Sequence, residues 1–561
     1  MSRSHILSLL LGLLILNNTS VAQETTSEAR PEQDYSVNTF YALLVAEMAG
    51  QRQLYDLALG NYLLESHRTQ DPGVTARATQ IAQFVGADQA ALDAATLWVK
   101  LDENNPKAQQ ALSSELVKAA RFSESVIHLQ KALDLDPLLN VNFISSQGND
   151  LTEGARELWL ESLTPLAAQF SQNQALLFNI ASLHQQQGNL GKAIEICDRL
   201  IEHHSEFYPA WSLKARMLAS DNQHQQALST VNSALKVFEN DKSLTLLKAR
   251  LLIKLKDIQG AGEVFKQLSE SNPDDPHILL PLALTQLDLE NLTGAKATLT
   301  QLLNSHQLKS EAHYYLGRIE EQLGNPDLAL EHYLAMTSGR EYLSAQGAIV
   351  DIYIDKDQLD LALTHLEQQR NIDGENQQAY YLMEIDALNR SQLYQQSLAV
   401  LNRAIPLYPN NKDMRYARAI VSEKLGDLDQ LEQDLLHIIQ LDPNNATALN
   451  ALGYSLADRN IRIDEAHAYI VKAKTLEPND PAIIDSLGWV YFRMGRLDDA
   501  ITLLKEAFAV FPDAEVAAHL GEVYFSKGDV NKAKEIWQKA LDKSPKSRIL
   551  MDTLQRLNVD L

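Results

Sequence analysis

A single cysteine, Cys197, stands in a chain of 561 residues, so no disulfide can close within it and the fold must rest on an apolar core. Cys197 falls at a repeat position that helical spacing buries, which makes it a packing residue and not a reactive thiol. Basic clusters are missing too. Lys and Arg number 49 against 73 Asp and Glu, for a formal charge of −24. Phosphate binding needs a basic stripe, so this balance argues against a nucleic-acid partner. An acidic surface of this kind mainly keeps a protein soluble.

Catalytic signatures are also wanting. There is no G-x-S-x-G elbow, no G-x-x-x-x-G-K phosphate loop and no H-E-x-x-H. Gly260-Ala261-Gly262 lacks a third glycine and precedes no strand pattern. None of the 15 histidines lies three, four or five residues from another, and the adjacent His203 and His204 point different ways on a helix. Carboxylates are plentiful, but on solvated helix faces. An enzyme with accessory repeats would need a further domain of about 150 residues, and only residues 138–173 fall outside clear repeats. The expectation is a protein without catalytic, cofactor or metal chemistry.

The apolar run at residues 6–16 is too short to span a bilayer comfortably. With Arg3 before it and Ser20-Val21-Ala22 after it, residues 1–22 read as a secretory signal cut after Ala22, retention as an anchor being the alternative. Residues 23–36 are polar and aperiodic, a flexible tether.

What the chain does have is recurrence. Superposing Gly453, Gly488 and Gly521 also aligns Ala466, Ala500 and Ala533, then Pro478, Pro512 and Pro545. A period of about 34 residues marks a helical hairpin that must stack on its neighbours to bury its apolar faces. Within residues 481–512, Gly488 and Ala500 allow the two helices to approach, and Leu487, Tyr491 and Leu504 fill the space beside them. Gly495 makes the turn and Asp498 is expected to cap the second helix.

These small-residue positions resemble the eighth and twentieth of the tetratricopeptide repeat. The register runs through eleven units over residues 174–546, starting at Gln174, Tyr208, Lys242, Pro276, Ser310, Leu343, Gln378, Lys412, Ala446, Pro481 and Ala514. Position eight is Ala or Gly except at Val350 and Ile385, and, allowing one extra residue before Ala466 in the unit from Ala446, position twenty is Ala except at Ser397 and Leu431 and position twenty-four is apolar from Cys197 to Trp537. Residues 37–137 read as degenerate repeats, with Ala46, Ala58 and Tyr62 at the key places of the first. Residues 138–173 are irregular: Gln147 and Trp159 replace small residues, and Pro165 is expected to interrupt a helix. Residues 547–561 carry the stripe Ile549, Leu550, Leu554 and Leu557 and read as a capping helix. The predicted fold class is all-α, a tetratricopeptide-repeat solenoid whose stacked hairpins form a right-handed superhelix.

The resemblance implies that positions five, nine, twelve and thirteen of each first helix face an inner groove. There the C-terminal units carry Tyr454, Trp489, Phe492, Arg493, Glu522 and Phe525, an aromatic and arginine set with the composition of a protein-binding surface. Trp211 and Trp537 fall at packing positions, whereas Trp489 does not. The Lys-at-five, Asn-at-nine clamp for C-terminal carboxylates is absent.

ALNALGYSLADR from Ala448, DPAIIDSLGWVYFRMGRLDDA from Asp480 and FPDAEVAAHLGEVYF from Phe511 are similar to the C-terminal units of proteobacterial exported tetratricopeptide lipoproteins that partner the periplasmic carboxyl-terminal processing protease. The resemblance implies an adaptor holding that protease and its cell-wall hydrolase substrates. No cysteine directly follows Ala22, a departure from that family, so its lipid anchor is not expected here. A soluble periplasmic protein is expected, with outer-membrane association left open. The rival is a scaffold for exopolysaccharide export or envelope assembly.

Overall fold

Small residues mark the places where two helices touch. In the computed structural model, which describes residues 35–305 and 307–561, a Cβ added at Gly488 would lie 2.7 Å from Leu504 Cγ and 3.4 Å from the Ala500 carbonyl. At Gly453 it would lie 2.5 Å from Ile470 Cγ1 and 2.9 Å from the Ala466 carbonyl. At Gly521 it would meet the Trp537 ring at 2.2 Å. Position eight therefore faces the large side chain at position twenty-four, and Ala466, Ala500 and Ala533 are wholly buried beside it. The proposed signal at residues 1–22, and all of the tether except Tyr35 and Ser36, lie outside the described residues.

Among the described residues there are 31 α-helices and no strand, an α-solenoid of stacked hairpins. The chain divides into two units, residues 1–268 and 269–561. First helices begin at Gln174, Tyr208, Lys242, Pro276, Lys412, Ala446, Pro481 and Ala514, matching the repeat starts. Those at Lys309, Tyr342 and Gln377 begin one residue before Ser310, Leu343 and Gln378. Asx caps set many of these starts. Asn411, Asn445, Asp480 and Asp513 each accept a bond from a backbone N–H in the first turn that follows.

In the first unit, Val37–Gln51 pairs with Tyr55–Thr69 around the buried Ala46, Ala58 and Tyr62. The irregular stretch forms the six-residue helix Phe143–Gly148 and the long helix Glu153–Gln169. Trp159 is enclosed, its ring 5.7 Å from that of Phe122. The close approach shifts to Gly148, where a Cβ would lie 2.3 Å from Leu183 Cδ1. Pro165 does not interrupt the helix as expected. It sits inside Glu153–Gln169 on the exposed side with Glu161, so water can satisfy the carbonyl it deprives, while the buried Leu163 and Leu166 hold the helix down. Cys197 is fully buried, and burial pushes its thiol up to about 12, leaving it inert at neutral pH.

In the second unit, Gly495 turns the chain with φ of 78° before Leu497–Val510. Asp498 does not cap this helix. The N-cap is Arg496, which makes no side-chain cap bond, and Asp498 lies inside the first turn, where its charge favours the helix N-terminus. The last helix, Arg548–Leu557, packs Leu550 and Leu554 against Ala517 and Trp537 and leaves Ile549 at its exposed edge. Gly521→Ala is expected to cost the last hairpin about 1–3 kcal/mol, because the rigid Trp537 indole cannot step aside. Amide exchange of Val530–Lys543 measures this; unchanged protection would show that the helices do not need the glycine.

Candidate protein-binding surface

Three first helices of the second unit carry the predicted groove residues, Ala446–Asp458, Pro481–Arg493 and Ala514–Ser526, and Lys412–Leu425 is the first helix of the hairpin before them. Trp489, expected at the groove, is only 2% exposed. Its indole stacks on His519 with centroids 4.1 Å apart, meets Phe492 at 5.0 Å, and lies under the Arg493 guanidinium at 4.6 Å. The position-nine ring is thus covered by the next hairpin's first helix. Trp489 is buried as deeply as Trp537 and Trp211, so the distinction drawn from repeat position does not hold for it.

Glu522 is enclosed for a different reason. Both of its carboxylate oxygens accept from Arg556 of the terminal helix, one at 2.7 Å, and it is 4% exposed. Tyr454, Phe492, Arg493 and Phe525 are half-buried. Phe525 lies 6.1 Å from Trp537, and Arg493 donates to the Asp458 carbonyl at 3.0 Å.

The chemistry of this surface centres on residues that the sequence reading did not single out. His519 is buried, with Nδ1 2.9 Å from Asp485 Oδ2. Tyr454 donates its hydroxyl to Glu515 at 2.7 Å, which frees its oxygen to accept from His519 Nε2 at 3.4 Å. Both ring nitrogens can then donate, the arrangement of an imidazolium. Burial alone would push the His519 pKa down; Asp485 beside it reverses this, Glu515 and Asp458 add to the effect, and the net shift is upward. Tyr454 is raised by burial and by Glu515. Glu423 is raised by burial; Lys424 pulls it back, while Glu515 and Asp458 raise it. Asp485 Oδ1, Trp489 Nε1 and Arg493 Nε are buried without hydrogen-bond partners.

Asp485, Glu423 and Asp458 occupy positions five, twelve and thirteen, so a position rule applied to every residue type would have found them. Favouring aromatic rings hid them. Among the described residues no three His, Cys, Asp or Glu side chains are placed to hold a metal, and no helix is long and apolar enough to cross a membrane.

Models of the tetratricopeptide repeat match residues 175–202, 218–280, 280–342 and 486–548. The chain is 35% identical over 510 residues to TPR repeat-containing protein PA4667 of Pseudomonas aeruginosa, covering 90% of this chain and 86% of that protein. It is 26% identical to the human protein O-mannosyl-transferase TMTC1 across 29% of this chain and 19% of that one. Among solved structures, the Cut9-Hcn1 hetero-tetramer of the APC/C aligns at 15% identity with a TM-score of 0.34, over 93% of this chain and 96% of that one. Yeast Tom70 aligns at 14% identity with a TM-score of 0.33, over 93% and 94%. Tetratricopeptide repeats imply a scaffold for protein–protein interaction, and this chain belongs to the tetratricopeptide-repeat protein family, with the Pseudomonas aeruginosa protein as a relative along most of its length.

Proposed function

We propose that the chain is a noncatalytic periplasmic adaptor that brings protein substrates, such as cell-wall hydrolases, to a carboxyl-terminal processing protease. Similarity to another tetratricopeptide protein along 90% of the chain is the observation that carries this reading, because it makes the repeat array the body of the protein and not an appendage to another domain. The C-terminal units, with their resemblance to exported partners of that protease, supply the choice of client. A scaffold of this kind acts by holding two partners on one chain. Each then experiences the other at a raised effective concentration, and cleavage accelerates with no new chemistry. Export rests on the signal read at residues 1–22.

Adding the purified mature chain to protease plus hydrolase is expected to speed hydrolase loss by about tenfold or more. Degradation at the unassisted rate would remove the adaptor reading.

A further inference from the structure

We propose that the acidic patch around Tyr454, formed by Glu423, Asp458, Asp485 and Glu515, seats the cationic side chain of a lysine or arginine in an extended segment of a protein partner. The inference rests on the protein-binding reading above and specifies the chemistry of what is held. Four successive first helices contribute one carboxylate each, so the patch exists only because the hairpins stack.

The charge balance is incomplete. Facing these carboxylates are Arg493, which reaches Asp458 Oδ1 at 3.6 Å, and His519, which pairs with Asp485. Arg556 pairs with Glu522 and also acts on Asp458, and Lys424 stands exposed beside Glu423. Asp485 is 6% exposed, yet its Oδ1 has no partner. A buried carboxylate oxygen without a donor is costly, and like charges held together favour uptake of a cation. The carboxylates are not grouped to hold a metal ion. A long cationic side chain can instead lay its stem on the half-buried rings of Tyr416 and Tyr454 while its head meets the carboxylates.

The test uses the full mature chain and a fluorescein-labelled tetralysine peptide, followed by anisotropy. The triple variant Glu423→Gln, Asp458→Asn, Glu515→Gln is expected to bind the peptide at least about tenfold more weakly. A control triple, Glu506→Gln, Glu535→Gln, Asp542→Asn, makes the same charge change at exposed sites on second helices and is expected to lose no more than about twofold. Equal losses in the two triples would mean that only the general acidic field attracts the peptide, and would overturn the inference. So would an unchanged affinity in the patch triple, or equal binding of tetraglutamate by the unaltered chain. Removing clustered carboxylates relieves repulsion, so the patch triple is expected to fold; its helicity and melting are measured alongside.

The degradation assay on the same variants separates the two readings. Acceleration by the unaltered chain that the patch triple retains in full overturns the docking inference and leaves the adaptor standing. No acceleration by the unaltered chain removes the adaptor, and the peptide titration alone then decides the patch.

Discussion

Trp489→Ala is expected to destabilise the hairpins around residues 481–526 by about 3–5 kcal/mol, the cost of emptying a buried aromatic site. The ring is 2% exposed and fills the contact between Pro481–Arg493 and Ala514–Ser526, so its loss removes the surface on which His519 stacks and Arg493 rests. An open groove anchor would behave differently, weakening partner capture while leaving stability alone. Repeat arrays do not unfold as a single two-state unit, so the readout is amide exchange of these two helices. Protection equal to that of the unaltered chain would show that the indole carries no packing load. Phe492→Ala, at a half-buried position, is expected to cost less in the same measurement.

Asp485→Ala is expected to have a comparable effect, about 3–5 kcal/mol, because it leaves the buried His519 ring without the carboxylate it pairs with. His519 has its pKa raised in the folded state, so the folded protein holds the proton more tightly than the unfolded chain does. The resulting stability is fully present below the ordinary histidine pKa of about 6.5 and is lost as pH rises through the raised folded value. The opening free energy of Ala514–Ser526, corrected for intrinsic exchange, should therefore fall with rising pH across that window. His519→Gln should flatten the profile. A profile with the same slope in that variant would assign the pH dependence to other groups.

The hairpins were legible in the sequence because the signal is local. Gly488 and Ala500 lie twelve residues apart and touch within one hairpin, and the same spacing repeats, so each unit repeats its neighbour's evidence. Pro165 misled because the penalty for proline depends on which side of the helix it falls, and its exposed placement is set by neighbouring helices.

The candidate surface was only partly legible. The residues at positions five, nine, twelve and thirteen lie on the first helices, but which of their side chains stay open was not legible. Tyr454 meets Glu515 and His519 across 61 and 65 residues, two hairpins away, and no periodicity of one unit reports such contacts. Glu522 is covered by Arg556, which lies outside the repeats altogether.

The sequence by itself determined the unit: two helices, the small residues where they cross, the large residue that each glycine faces, and the number of times the pattern returns. These follow from contacts inside about 34 residues. Tertiary structure alone decided that the Trp489 ring would be roofed by His519 and that carboxylates from three helices would gather around one tyrosine. The reason is physical: the rotation of one hairpin on the next sets those distances, and it arises from packing between units that no single unit's spacing encodes.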